Sequence, residues 1–92
     1  MSQAALCSES LRLDKWLVNA RFFKRRALAA ELAENKRIRV NSQVVTKAHY
    51  KLRPGDVLTF PQAETIRVVR VLALPGRRGS SALAHGCYED LS

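Results

Sequence analysis

Ninety-two residues suffice for one small domain with a modest core and leave little room for a deep enzymatic cleft. A hydrophobic content of 47% argues against wholesale disorder, whereas 16 Lys and Arg against 8 Asp and Glu give a net charge of +8. Residues 11–53 carry twelve cations and three anions, and such a block repels itself unless it meets a polyanion, which makes nucleic acid the leading partner class.

The first ten residues are small and polar and read as a flexible leader. They show no basic stretch followed by an apolar run, so no secretory signal is expected, and no segment approaches the length of a membrane span. The expectation is a soluble, cytoplasmic, stand-alone chain. Ser10 is placed to cap a helix over "LRLDKWLVNA", where Leu13, Trp16, Leu17 and Ala20 recur at helical spacing and Arg12, Lys15 and Asn19 gather beside them. After a turn through "RFFK", a second helix is predicted from about Arg26 to Asn35. Leu28 and Leu32 are its expected anchors, with Ala29 and Ala33 permitting close approach. Counting 100° per residue puts Arg25 inside the buried stripe, where a charge is costly, so Arg25 is expected at the N-cap rather than in the helix. Arginine caps poorly and opposes the dipole, at about 0.5–2 kcal/mol relative to Ser or Thr.

The period then changes to two. In "RIRVN" Ile38 and Val40 point inward and Arg37, Arg39 and Asn41 outward. "NSQ" signals a hairpin turn, although Ser42 is a weak second residue for one. "RPGD" reads as a type II turn, "VLTF" as a short strand, "PQAE" as a turn and "TIRVVRVLA" as a longer strand. The spacing of Arg67 and Arg70 predicts a bulge near Val68 and Val69. "LPGRRGSS" is a linker, and "SALAHGCYEDL" a short closing helix interrupted at Gly86. The division is therefore a leader (1–10), an α+β domain (11–73) and a C-terminal tail (74–92).

No catalytic residue, metal ligand or cofactor site is expected. His49 and His85 stand in unrelated contexts, no glycine-rich phosphate loop exists, and Cys7 and Cys87 lack zinc or disulfide-framework spacing. The positive signal is the cation set: Arg12 and Lys15 on the first helix, Arg21, Lys24, Arg25 and Arg26 at the turn, Arg37 and Arg39 on the first strand, and Lys47 beyond the hairpin. Almost no acid lies among them, and arginine adds bidentate phosphate contacts and stacking on unpaired bases. Phe22 and Phe23 either close the core between the helices or offer one ring, Phe23, for base stacking; Trp16 falls on the core stripe.

Together "RLDKWL", "ARFFKRRALA", "IRVN" and "LRPGD" resemble the alpha-L RNA-binding domain of ribosomal small-subunit protein four, over about Leu11 to Phe60. With the ending "YEDL", the whole chain is similar to the bacterial ribosome-associated heat-shock protein fifteen family. The resemblance implies two helices packed on a small, mostly antiparallel sheet and a non-catalytic, stress-linked RNA-binding function. It also implies ribosomal RNA of the free large subunit, carrying a nascent chain on transfer RNA, as partner. The free protein is expected to be a monomer. By position, Arg12, Lys15, Arg21, Lys24, Arg26, Arg39, Asn41 and Lys47 would contact RNA, while Leu13, Leu17, Leu28, Leu32, Ile38 and Val40 would be core. Asp14 would orient neighbouring cations. The chain departs from the family pattern at Arg25 (usually Ser or Thr), at Asn35 or Lys36 (Gly) and at Ser42 (Gly), leaving Asn35 as the expected left-handed helix terminator. The alternatives are an accessory domain of an RNA-modifying enzyme and a DNA-binding regulator.

Overall fold

The structure, a computed structural model, describes residues 10–92, so the expected leader lies, apart from Ser10, outside the described residues, as does Cys7. A short strand β1 (Leu11–Arg12) pairs antiparallel with β4 (Lys51–Leu52). Helices α1 (Leu13–Asn19) and α2 (Arg26–Glu34) follow β1. Strands β2 (Ile38–Val40), β3 (Gln43–Val45), β5 (Val57–Gln62) and β6 (Thr65–Val71) come next, and after the short helix α3 (Ser81–His85) the chain ends in β7 (Tyr88–Asp90). These five strands make one antiparallel sheet in the order β3-β2-β5-β6-β7. The architecture is the expected α+β one, helices on a mostly antiparallel sheet.

Ser10 does not cap α1. Pairing with β4 holds Leu11 and Arg12 extended, and the helix begins only at Leu13. Its first donors are satisfied by another segment's carbonyls: the Leu13 N–H donates to Tyr50 O at 2.8 Å and the Asp14 N–H to Ala48 O at 3.2 Å. Both long helices end in the same way. Phe22 N–H donates to Leu17 O and Arg21 N–H to Val18 O; Arg37 N–H donates to Leu32 O and Lys36 N–H to Ala33 O. This double pattern is the Schellman motif, whose penultimate residue is left-handed and usually glycine. Here that residue is Arg21 (φ 68°) in one case and Lys36 (φ 62°) in the other. Asn35, at φ −90°, is therefore not the left-handed terminator; the residue after it is. A non-glycine residue there costs roughly 1–2 kcal/mol, offset in part by the attraction of a cation to the helix C-terminus.

The hairpin between β2 and β3 closes on two residues, Asn41 (φ 52°) and Ser42 (φ 72°), the type I′ geometry despite the missing glycine. Gly55, at φ 97°, supplies the left-handed residue of the "RPGD" turn. The β5–β6 ladder runs in unbroken register from Val57↔Arg70 to Gln62↔Thr65, so the expected bulge is absent and β5 continues through Pro61. Pro61 lies beyond the two positions where β2 pairs with β5, so its missing donor breaks no bond to β2.

The core lies between the helices and the inner sheet face: Leu13, Trp16 and Leu17 meet Ile38, Leu58, Phe60, Val69 and Val71, all fully buried. The expected anchors of α2 need correction. Leu28 is 48% exposed and Leu32 is only partly buried, while Ala29 and Ala33 are fully buried. Short side chains let the two helix backbones approach, which turns the contact face away from Leu28. Phe22 is the wedge the sequence suggested. Its ring lies 5.8 Å from Trp16, 5.0 Å from Phe60 and 4.6 Å from Tyr88, centroid to centroid.

The tail is tied to this core. Trp16 Nε1 donates to Ala73 O and Asn19 Nδ2 to Pro75 O, both at 2.9 Å. Ser80 caps α3 through its hydroxyl, and Gly86 ends it after one turn. The closing segment is thus a helix only to His85 and a strand from Tyr88. Burial pushes the Cys87 thiol above its ordinary pKa. Among the described residues no helix is long and apolar enough to cross a membrane.

Truncating the Phe22 wedge should be the most damaging single change near the turn. Phe22→Ala is expected to lower unfolding free energy by about 3–5 kcal/mol, measured by urea denaturation. A loss below about 1 kcal/mol would show that the aromatic cluster is not a principal support.

Candidate functional site

The charged surface is organised by one buried acid. Asp14, in the first turn of α1, is 2% exposed. It accepts from Arg12 Nε at 3.1 Å and Nη2 at 3.0 Å, and its Oδ2 also lies 3.5 Å from Arg26 Nε. Arg12 is the N-cap of α1, and Arg26 the first residue of α2. The carboxylate therefore holds two guanidinium groups together where both helices begin. Roughly half of each arginine side chain stays exposed, so each pair alone is worth little as stability. Its geometric effect is larger, since it fixes the direction of two forked donors.

Arg25 sits at the N-cap of α2 with extended dihedrals, φ −130° and ψ 138°, and no side chain caps the helix. The position matches the expectation from the hydrophobic stripe. No acid occupies the first turn of α2, so Asp14, reaching Arg26 from α1, is the acid paired there, and Arg25 stands beside the positive end of the dipole. Lys24 is exposed in the preceding link. Lys15, half-buried, is on the next turn of α1 from Arg12. The outward face of β2 presents Arg39 between Val44 and Thr59 of its neighbours, with exposed Arg37 just before the strand. Lys47 is exposed in the loop whose carbonyls hold the start of α1, which ties that loop to the Arg12 end of the helix.

Two of the expected contact residues are engaged elsewhere. Asn41 donates from Nδ2 to Asp56 Oδ1 at 3.2 Å and accepts the Val57 N–H on Oδ1 at 3.0 Å, so its amide knits the β2–β3 hairpin to the "RPGD" turn. Arg21 points to the tail, donating from Nη1 to Gly79 O at 2.7 Å. Phe23 is partly buried against the core, 6.0 Å from the Phe60 ring centroid. The aromatic more freely presented is one that sequence reasoning missed: Tyr50, 39% exposed, lines a shallow cleft with Lys47, Gln43 and Val44. Its backbone is fixed on both sides, by Tyr50 N–H to Lys47 O and by Leu13 N–H to Tyr50 O. Nothing local in "TKAHYKL" announces that placement, because it depends on the docking of this loop under α1.

The surface has the chemistry of a polyanion grip: forked donors held in place, positive charge in excess of the one acid among them, and an aromatic at the edge. Among the described residues no group of three or more His, Cys, Asp and Glu could hold a metal ion.

Comparison with known proteins places the chain among RNA-linked and stress-linked relatives. The S4 domain model matches residues 11–58. The chain is 36% identical over 90 residues to the heat shock protein 15 homolog of Aeromonas salmonicida, covering 98% of this chain and 67% of that protein. It is 41% identical over 61 residues to the RQC P-site tRNA stabilizing factor of Bacillus subtilis, covering 66% of this chain and 70% of the relative. A trimeric structure of Vibrio cholerae heat shock protein 15 superimposes with a TM-score of 0.85 at 28% identity, over 91% of this chain and 84% of that one. The chain spans between 59% and 67% of the length of the heat shock protein 15 relatives.

If Asp14 aims Arg12 and Arg26, its removal should weaken a polyanion contact even though the net charge rises. Asp14→Asn is expected to cost about 1 kcal/mol of stability. It should also reduce affinity for poly(U) severalfold, read by fluorescence anisotropy at fixed salt. Tighter binding, as added charge alone predicts, would refute the positioning role.

Proposed function

The chain belongs to the S4 domain family, and from that premise we propose that it is a non-catalytic protein that binds structured ribosomal RNA. Its target is the large ribosomal subunit that still carries a nascent chain on transfer RNA, and its role is to assist rescue or recycling of that particle in the cytoplasm. The carrying observation is the pairing of Arg12 and Arg26 across buried Asp14, beside Arg25 at the acid-free start of α2. The names of the relatives support the finer reading. One is a factor that stabilises P-site tRNA, and others are heat shock proteins.

Arg12, Lys15, Lys24, Arg25, Arg26, Arg37, Arg39 and Lys47 form the grip, with Tyr50 as the aromatic available to stack on an unpaired base. Contacts fall mainly on phosphates, sugars and helix shape, because the deep major groove of A-form RNA excludes side chains. Asn41 serves the hairpin that carries Arg39, and Arg21 reaches the RNA from the tail side of the turn. The free chain is read as a monomer; the mass of a trimer in light scattering would instead favour the arrangement named for the Vibrio relative.

Sedimentation of cell extract on a sucrose gradient tests the partner. The protein is expected on free large subunits, and its absence from every ribosomal particle, even after heat stress, would overturn the ribosomal reading. Duplex DNA outcompeting ribosomal RNA would point to a DNA-binding regulator instead. Arg25→Thr tests the interface. Stability should rise by about 1 kcal/mol as a good cap replaces a poor one, while RNA affinity falls and its logarithmic salt slope lessens by about one. Unchanged affinity at low salt would remove Arg25 from the site.

A further inference from the structure

Two residues that break local rules meet in one cleft away from the Asp14 cluster. Arg21 occupies the left-handed position at the end of α1 that glycine normally fills. Arg67 shares the parity of Val69 and Val71, both fully buried, so it stands on the core-facing row of β6, where an apolar side chain is expected. Its guanidinium lies 5.3 Å above the Phe22 ring, donates from Nη1 to Gln62 Oε1 at 3.0 Å and from Nη2 to Asp90 Oδ2 at 3.2 Å. Both arginines line a cleft of about 200 Å³ between the interhelix turn, the β5–β6 hairpin and α3. Gln62, Ser81, His85 and Tyr88 line it as well, and none of its lining residues is acidic.

We propose that this cleft is a second phosphate subsite, which takes a phosphodiester of the RNA strand leaving the main basic face. The inference rests on the RNA reading of the chain. Each guanidinium carries five donors. Arg21 uses one on Gly79 O, and Arg67 uses two on Gln62 and Asp90, so both keep donors for an oxyanion. Ser81 and Tyr88 line the cleft beside them, and His85 stands at the wall formed by α3. Arg21 follows α1 in the same turn that leads to Lys24, Arg25 and Arg26, so a strand gripped there passes the cleft as it continues toward the tail. The tail thereby becomes part of the binding surface, since α3 forms one wall and β7 supplies the acid that balances Arg67. Asp90 competes with phosphate for Arg67, and this competition gives the subsite a signature of opposite signs.

The test uses the full chain and a short RNA hairpin with a single-stranded 3′ tail, titrated by fluorescence anisotropy over a salt series. Arg67→Gln is expected to weaken binding about five- to tenfold and to lessen the logarithmic salt slope by about one. Asp90→Asn removes the competing charge and should tighten binding about two- to threefold. Both variants break the same Arg67–Asp90 ion pair, so a purely structural role moves their affinities in the same direction or leaves both unchanged, whereas net charge alone moves them in opposite directions to the same extent with or without the tail; any of these results overturns the subsite. Wild-type protein that binds the hairpin and responds to Arg25→Thr, but not to Arg67→Gln, defeats this inference alone. Wild-type protein that does not bind the hairpin defeats the inference together with the RNA reading. Inorganic phosphate and a hairpin without the tail form the remaining arms: loss of the Arg67 effect on the tailless hairpin supports a strand phosphate. Competition by millimolar phosphate with an Arg67 effect that persists on the tailless hairpin shows a free-anion site and overturns the strand assignment.

Discussion

The ring of Phe22 is the contact on which the rest of the molecule depends. It lies among Trp16 of α1, Phe60 of β5 and Tyr88 of β7, and so joins the helices, the sheet and the tail in one aromatic cluster. A domain of this size has few large side chains to bury, so one such cluster carries a large share of its packing. The path of the chain follows from it. The left-handed residue Arg21 turns the backbone so that Phe22 enters the core, and the following Lys24, Arg25 and Arg26 are left on the outside. Burial of the aromatic and display of the cations are two results of a single turn.

The exposed side of that turn is built at the expense of local stability. Arg25 stands where a capping hydroxyl would be more favourable, and cations crowd the positive end of α2. Among the described residues five other than glycine hold positive φ, including Arg21 and Lys36 at the two helix ends and Ser42 in the hairpin. Glycine at any of these would relieve strain, but it would remove a cation at the helix ends. Asp14 offsets part of the repulsion between Arg12 and Arg26 while keeping both aimed outward. A fold that departs from the favoured local choice at several positions has the character of a binding protein whose ligand supplies the missing compensation.

Much of the architecture was legible in the chain because its signals are periodic. The stripe of Leu13, Trp16 and Leu17 and the alternation of Ile38 and Val40 both lie as the pattern predicts. Arg25 was placed at a cap by the same arithmetic. The errors share a different cause. Leu28 was assigned to the core because large residues usually anchor a helix, yet Ala29 and Ala33 set the contact by allowing the backbones to close. The three-residue spacing of Arg67 and Arg70 breaks alternation and so suggests a bulge, whereas the strand is regular and Phe22, Gln62 and Asp90 make the inward position of Arg67 tolerable. Ser10 lost its capping role to carbonyls forty residues away.

The sequence by itself determined the class of fold, the basic character of residues 11–53 and the places of Arg25 at a helix cap and Arg39 on the outward face of its strand, because these follow from composition and from fixed periods of 3.6 and 2. It also marked the turn that holds Phe22 and the cap occupied by Arg25. Only the tertiary structure decided which of these cations share a partner. Arg12 and Arg26 meet through Asp14 because α1 and α2 begin side by side, a relation between segments that no local pattern encodes. The same holds for Tyr50 beside the start of α1 and for Arg21 and Arg67 in one cleft. Each depends on the closing of chain segments over the aromatic cluster, and that closure is set by packing rather than by propensity.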